Sequence, residues 1–310
     1  MSDIVTLTWA PYIEKRTTLN RMEGGRVLHC STASYNAGGG GIKVSRTLRL
    51  LGSPSHAVYL AGGENALLLT SLLQAERLGG RVVHQRNATQ QREIINVHDS
   101  HEQFILAPPC PMVYPGECTQ LLQYLEGLAK IKRLVVSGDL PSGLPDDIWL
   151  QLQDMACRKG AQLMLQVTGP GLKDALHAGS FLVQTDYHSF CGFSNASALT
   201  PDEISRSCHA LIEAGMTEWM LVTLGTQGVL LTGAHVGLLL PPAIVAPGKI
   251  TGKSYSLLAG LLHGLEQGAD MLQAAEFGMR CAVADALHPY GSLLSEEHLN
   301  RLGNAHRLFA

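Results

Sequence analysis

The chain has 310 residues, of which 45% are hydrophobic and 16% charged, with a formal net charge of −3 at pH 7. This composition supports a sizeable core, and it lacks the basic excess or clustered basic face of a nucleic-acid-binding protein. No apolar segment approaches the ~20 residues that span a bilayer, the N-terminus lacks a signal-peptide pattern, and the seven scattered cysteines include no C-x-x-C pair. We therefore expect a cytoplasmic protein with no membrane partner, no disulfide framework and no structural metal site.

Short β-rich runs alternate with amphipathic helical runs along the chain. This alternation is typical of an α/β fold with a mainly parallel sheet covered by helices on both faces. The predicted strands are Ile4–Trp9, His56–Ala61, Arg133–Ser137, Gln162–Val167, Phe181–Val183, Trp219–Thr223, Gly228–Leu231 and Val236–Leu240. The predicted helices are Gly41–Leu51, Asn65–Leu78, Pro145–Lys159, Pro201–Ala214 and two near 252–267 and 270–288.

Two stretches, 16–32 and 90–106, break the alternation. Both look like short β segments, and neither is followed by a helix that would cover it. We interpret them as one small β lid, about 13–33 and 90–107, formed by two excursions from a single domain that spans 1–310.

Four glycine-containing segments carry the candidate chemistry. The first, Asn36–Gly52, places Gly39 and Gly40 directly before a predicted helix, where close backbone approach and N–H groups at the positive helix end suit an anion. A tight turn explains the same glycines equally well, and the G-x-G-x-x-G frame of a dinucleotide site is missing.

The other three segments follow predicted strands or open a helix. Ser137–Gly143 contains Asp139 and follows a strand, the place where open α/β sheets bind ligands. Thr223–Gly228 also follows a strand. Gly248–Ser254 opens an apolar helix, but a P-loop would need glycine where Pro247 stands.

In this order and spacing, these segments resemble the PfkB family of carbohydrate kinases, especially its minor bacterial 6-phosphofructokinase and tagatose-6-phosphate kinase group. The resemblance covers essentially the whole chain and rests on Leu7-Thr-Trp-Ala-Pro11, the glycine run, Ala61-Gly-Gly63, the Ser137–Gly143 loop and the Thr223–Gly228 turn. It implies a ribokinase-like three-layer sandwich with a small β lid that serves as a homodimer interface. It also implies phosphorylation of a phosphosugar with ATP and Mg²⁺.

The resemblance carries functional roles onto particular positions. The implied substrate-binding residues are Glu14, Gly39, Gly40, Lys43, Arg92 and Asp139. The implied nucleotide-binding residues are Asp186, Thr223, Gly225 and Gly228. Gly252 and Lys253 fall in the catalytic segment, and we expect no dedicated metal ligands.

The chain departs from the family pattern mostly at these positions. The family's catalytic aspartate, the general base, is Lys253 here, and a lysine with its usual pKa of ~10.4 is protonated at neutral pH. Losing a positioned base costs ~10²–10⁴-fold in rate. Asp139 replaces a serine that helps to hold the sugar phosphate, Lys43 replaces an asparagine, and the lid arginine expected at Gln90 is missing, although Arg92 is close.

Three functional hypotheses follow. The leading one is a phosphofructokinase-like protein with a degenerate catalytic site, weak or no kinase activity and retained phosphosugar or nucleotide binding. The first alternative is an active kinase of a phosphosugar such as fructose 6-phosphate or tagatose 6-phosphate, with Asp139, Glu14 or a deprotonated Lys253 as base. The second is a non-catalytic partner-binding subunit. The new charges also predict an internal ion pair between Asp139 and either Lys43 or Lys253.

Overall fold

The computed structural model describes residues 3–241 and 253–287, and their centre is a nine-stranded sheet. Its strands are β1 (Ile4–Thr8), β4 (His56–Ala61), β5 (Gly80–His84), β8 (Arg133–Ser137), β9 (Gln162–Gln166), β10 (Ser180–Asp186), β11 (Thr217–Thr223), β12 (Val229–Gly233) and β13 (Val236–Leu240). They lie in the order β13-β12-β11-β10-β9-β8-β1-β4-β5. All run in the same direction except β12, which pairs antiparallel with both β11 and β13. Every residue of β1 and β8 is buried, as expected for strands covered on both faces.

Helices cover both faces of this sheet. They are α1 (Gly40–Leu50), α2 (Gly63–Ala75), α3 (Pro115–Gly127), α4 (Ile148–Lys159), α5 (Leu172–Leu176), α6 (Tyr187–Phe193), α7 (Pro201–Glu213), α8 (Lys253–Glu266) and α9 (Met271–Leu287). One apolar core joins the sheet to α1, α8 and α9, and a second joins the opposite face to α3, α4, α5, α6 and α7. The three-layer α/β architecture expected from the sequence is therefore confirmed.

A separate four-stranded sheet lies beside α2 and has the order β3-β2-β6-β7. Its strands are β2 (Tyr12–Leu19), β3 (Ser34–Gly38), β6 (Gln90–Val97) and β7 (Gln103–Leu106). We call it the small sheet. Its first excursion differs from the predicted bounds, because residues 20–33 contain no strand and a turn at Gly25, with φ of 76°, sends the chain back.

Several elements escaped the sequence prediction, among them β3, β5, α3 and α6. Helix α3 begins with proline, and the Glu117 carboxylate accepts a hydrogen bond of 2.8 Å from the Tyr114 backbone N–H, a recognisable helix start. Strand β3 is held by pairing with β2, and its own sequence has no apolar alternation. No helix in the described part of the chain has the length and apolar character needed to cross a bilayer.

Candidate functional site

The polar ends of four neighbouring parallel strands meet at one edge of the central sheet. Ser137 ends β8 opposite Gln166, and Asp186 ends β10 opposite Thr223. Helix α1 starts at the same edge, since Gly40 lies against Gly138, directly after β8. In open α/β sheets the carboxyl edge is the usual ligand-binding edge.

The glycine run brings the start of α1 into contact with the loop after β8. Gly39 has φ of 127°, which favours glycine, and a side chain on Gly40 would put its Cβ 2.4 Å from the Gly138 nitrogen. Two first-turn N–H groups already have partners within the protein, because Ile42 donates to Thr8 Oγ1 at 3.2 Å and Lys43 donates to the Gly39 carbonyl. The described contacts therefore give Gly39 and Gly40 a packing role.

Glu14 lies at the centre of a buried charge cluster between the small sheet and α1. Its carboxylate accepts from Lys43 Nζ at 2.9 Å and from Arg16 Nη2 at 2.7 Å, and only 3% of the residue is exposed. Burial alone would raise the pKa of Glu14, but the two cations hold that pKa at about 2. Burial alone would lower the pKa of Lys43, but the neighbouring Glu14 carboxylate raises it.

A second ion pair joins the small sheet to the loop after β8. Arg92 donates to Asp139 Oδ2, and its guanidinium lies 3.8 Å from the centre of the Tyr12 ring. Lys43 Nζ lies 5.6 Å from the same ring and 5.7 Å from the Tyr255 ring. Tyr12 therefore sits among the charges that the sequence singled out, although its own type gave no signal.

The predicted pairing of Asp139 is wrong for Lys43. Asp139 pairs with Arg92, whereas Lys43 pairs with Glu14. The reason is strand register, because Glu14 on β2 and Arg92 on β6 are direct neighbours in the small sheet. Glu14 meets Lys43 on α1, and Arg92 meets Asp139 in the loop after β8. The other predicted partner, the Lys253 side chain, is outside the described part of the structure, as is Gly252.

Two glutamines attach the strand ends to the first turn of α8. Gln166 accepts from Ser137 Oγ and donates to Ser254 Oγ at 3.0 Å, while Gln184 donates to the Ser254 carbonyl at 3.0 Å. These hydrogen bonds hold the start of the helix that begins at Lys253 against the carboxyl edge of the central sheet.

The predicted nucleotide residues lie further along the same edge, and each has a local structural contact. Asp186 caps α6 by accepting from the Ser189 N–H at 2.8 Å, and Thr223 Oγ1 donates to the Thr185 carbonyl at 3.4 Å. Gly225 and Gly228 have φ of 62° and 106° in the turn that joins β11 to β12. No hydrogen bond or ion pair among the described residues joins this group to the Glu14 cluster.

The two acids of the small-sheet cluster, Glu14 and Asp139, are each held in an ion pair. Within residues 3–241 and 253–287, no three His, Cys, Asp or Glu side chains come together as a metal site. Sequence reasoning found Glu14, Lys43, Arg92 and Asp139, which the structure brings into one region. It missed Tyr12, Arg16 and Tyr255, whose contacts depend on the tertiary fold.

The fold and the site together define an α/β protein of the ribokinase-like type, with a polar cluster between a small sheet and the carboxyl edge of the large one. Residues 9–297 match the family described as pfkB family carbohydrate kinase. The chain belongs to this family.

Similar proteins include bacterial phosphofructokinases. The chain is 28% identical to the ATP-dependent 6-phosphofructokinase isozyme 2 of Mycobacterium tuberculosis, over 96% of this chain and 88% of that protein. It is 26% identical to the isozyme 2 of Escherichia coli, over 97% and 98% of the two chains. The Escherichia coli phosphofructokinase-2 structure in complex with fructose-6-phosphate superposes with a TM-score of 0.89 at 26% identity, covering 98% of this chain and 99% of that one.

Proposed function

We propose that this chain is a phosphofructokinase-like member of the pfkB family whose phosphoryl transfer is weak or lost, and which still binds a ligand at the carboxyl edge. One observation carries the proposal: both acids beside the small sheet are held in ion pairs. Glu14 is shared by Lys43 and Arg16, and Asp139 is paired with Arg92. Lys253 stands where the family pattern has its catalytic aspartate.

Glu14 is a poor substitute for the missing base. Its carboxylate is buried, both of its oxygens accept from cations, and its pKa is about 2. A general base works best when its pKa is near the operating pH, so a carboxylate held this far below neutrality gives little driving force for proton removal.

Asp139 opposes the binding of a phosphorylated acceptor. Two unit charges 4 Å apart interact by roughly 4 kcal/mol at an effective dielectric of 20. A phosphate near this carboxylate meets a part of that repulsion, because Asp139 is exposed to solvent and paired with Arg92. Asp139 already neutralises the charge of Arg92, its partner among the described ion pairs. Ordinary chemistry on a sugar phosphate is therefore disfavoured at both binding and proton transfer.

An active kinase is the second candidate, and one observation favours it. Asp139 uses only Oδ2 in its ion pair, and 44% of its side chain is exposed, so Oδ1 remains accessible to an acceptor hydroxyl. The similar proteins from Mycobacterium tuberculosis and Escherichia coli are ATP-dependent 6-phosphofructokinases. In this alternative Asp139 supplies the base that Lys253 does not.

ATP is the phosphoryl donor that this proposal uses. The turn after β11 and the partly buried Thr223 and Asp186 side chains, in register at the strand ends, support a nucleotide at this part of the edge. Since the described residues contain no carboxylate cluster for a metal, Mg²⁺ would arrive on the phosphates of the nucleotide, its usual mode in phosphoryl transfer.

The small sheet is proposed to act as a lid and as the contact surface of a homodimer in a cytoplasmic single-domain protein. Its outer face carries Tyr35 and Leu106, which are 41% and 55% exposed, and Phe104 lies on the same face. Exposed apolar groups concentrated on one sheet are typical of an association surface. A structure of Escherichia coli phosphofructokinase-2, with a TM-score of 0.89 to this chain, is of a tetrameric form.

The direct test is ATP-dependent phosphate transfer by the purified protein to fructose 6-phosphate, tagatose 6-phosphate, fructose 1-phosphate and free sugars. The Escherichia coli isozyme 2 is assayed alongside as the active reference. We expect rates at least about a hundredfold below that reference, the smallest loss typical of a missing base. Rates within a hundredfold would refute the proposed loss and favour Asp139 as base.

Restoring an acid separates a lost base from wider damage. We expect Lys253→Asp to raise kcat by about tenfold or more, because a positioned carboxylate can accept the hydroxyl proton. Lys253→Asn is the matched control, since it removes the positive charge without supplying a base. Equal rates for the two variants would show that the loss does not lie at this position.

A further inference from the structure

The cations of the small-sheet region are all used by carboxylates of the chain itself. Lys43 and Arg16 share Glu14, and Arg92 pairs with Asp139. The Arg92–Asp139 pair is placed differently from the buried cluster, because Asp139 is exposed and lies two residues after the end of β8, at the carboxyl edge of the central sheet. A carboxylate of the chain therefore occupies the place beside Arg92 that the anionic group of a ligand would otherwise take.

We propose that this site selects an uncharged sugar or polyol and rejects phosphorylated ones, with Asp139 as the specificity-determining residue. Asp139 takes the place of a ligand phosphate as the anionic partner of Arg92, and it repels a second anion brought to the same guanidinium. The inference rests on the proposed function only in placing the ligand at this edge.

The surroundings of Arg92 suit hydroxyl groups. Arg92 Nε and Gln90 Oε1 are buried and have no hydrogen-bond partner among the described residues. The two residues are separated by one position on β6, so their side chains lie on the same face of the small sheet. A hydroxyl group both donates and accepts, so a polyol can satisfy a donor and an acceptor together, whereas a phosphate dianion only accepts.

Asp139 can also contribute directly to hydroxyl recognition. Oδ2 is engaged by Arg92, and Oδ1 has no partner among the described residues. A hydrogen bond from a hydroxyl to an ionised carboxylate is about twice as strong as a neutral one. The same side chain therefore attracts a neutral acceptor and repels a charged one.

The test compares one sugar with its phosphate ester, using D-fructose and D-fructose 6-phosphate in titration calorimetry on the full-length protein. We expect the wild-type protein to bind D-fructose more tightly than the ester. In Asp139→Asn, which keeps the shape and removes the charge, we expect the ester to gain affinity by about tenfold or more relative to the sugar.

Two further variants show whether the gain arises from the released guanidinium. Adding Arg92→Gln to Asp139→Asn should abolish the gain, because the ester then loses the cation that binds it. Asp146→Asn is the matched control, since it removes an exposed acid from the same loop without altering the Arg92 pair, and it should leave the ratio of the two affinities unchanged.

Three results would overturn the inference: tighter binding of the ester by the wild-type protein, an unchanged affinity ratio in Asp139→Asn, or binding of neither compound. These outcomes are separate from the fate of the proposed function. A rapid phosphate transfer to free fructose would refute weak catalysis and support the selectivity, whereas rapid transfer to fructose 6-phosphate would refute both.

Discussion

The Glu14 carboxylate gives the sharpest stability prediction, because it is buried and holds two cations at once. Glu14→Gln keeps the size of the side chain and removes its charge, which leaves Lys43 and Arg16 without their shared anion. Removing one partner of a buried ion pair is strongly destabilising, since the remaining charge stays buried without compensation. We expect the variant to fold with a clearly lower free energy of unfolding at pH 7.

The magnitude follows from the pKa of Glu14. A fall of that pKa from the ordinary 4.5 to about 2 corresponds, at about 1.4 kcal/mol per pH unit, to about 3 kcal/mol. Since the folded-state pKa is below the unfolded one, this stability is fully present above pH 4.5. It is lost as the pH falls toward 2, where the folded protein also binds the proton.

The assay is urea unfolding of the wild-type protein and Glu14→Gln at pH values between 7 and 2.5. The difference should be about 3 kcal/mol at pH 7 and should shrink steadily below pH 4.5. Glu93→Gln is the matched control on the same sheet. Glu93 forms a single ion pair, with Lys15, and 41% of its side chain is exposed. It should cost less than about 1 kcal/mol. Equal costs for the two variants, or a Glu14 difference that is independent of pH, would refute the reasoning.

Two further predictions concern packing and assembly. Gly40→Ala should lower the free energy of unfolding by about 1–3 kcal/mol, because its Cβ would lie 2.4 Å from the Gly138 nitrogen, whereas Gly116→Ala, with no heavy atom within 4 Å, should not be destabilising. Light scattering should show an assembly of at least two 33.3 kDa chains, and Leu106→Glu should shift that assembly toward monomer. Leu67→Glu is the control, because Leu67 is an exposed leucine on α2, and it should leave the measured mass unchanged. A destabilised Gly116→Ala, or an unchanged mass for Leu106→Glu, would contradict these expectations.

The central sheet was the most predictable part of the fold. The bounds of His56–Ala61, Arg133–Ser137 and Val236–Leu240 match the prediction, because short β-rich runs between turn residues leave little choice of structure. Strand β5, Gly80–His84, was missed, since only two of its five residues are β-branched and it is held by pairing with β4. Pairing with a neighbouring strand determines the structure of this segment. Local sequence patterns therefore predict edge strands poorly.

The candidate site was predictable in its residues and less so in its contacts. The resemblance to the carbohydrate-kinase family singles out Glu14, Lys43 and Asp139 from the sequence, because it carries each expected role to one position in the chain. Which cation meets which acid depends on the register of β2 and β6, and that register brings Arg92 to Asp139. The role of Tyr12 as the ring between two cations is likewise set by three-dimensional proximity.

Strand β2 starts near the site and carries the small sheet away from it. The chain passes from β1, which ends at Thr8, to β2, which begins at Tyr12, through only three residues. At about 3.3 Å per residue, Glu14 is about 7 Å from Tyr12, while Leu19 is about 23 Å away. The Lys43–Glu14 ion pair therefore ties β2 to α1 within two residues of the strand's first residue, Tyr12. The charge cluster fixes the small sheet at its root, next to the carboxyl edge of the central sheet, and not at its far end.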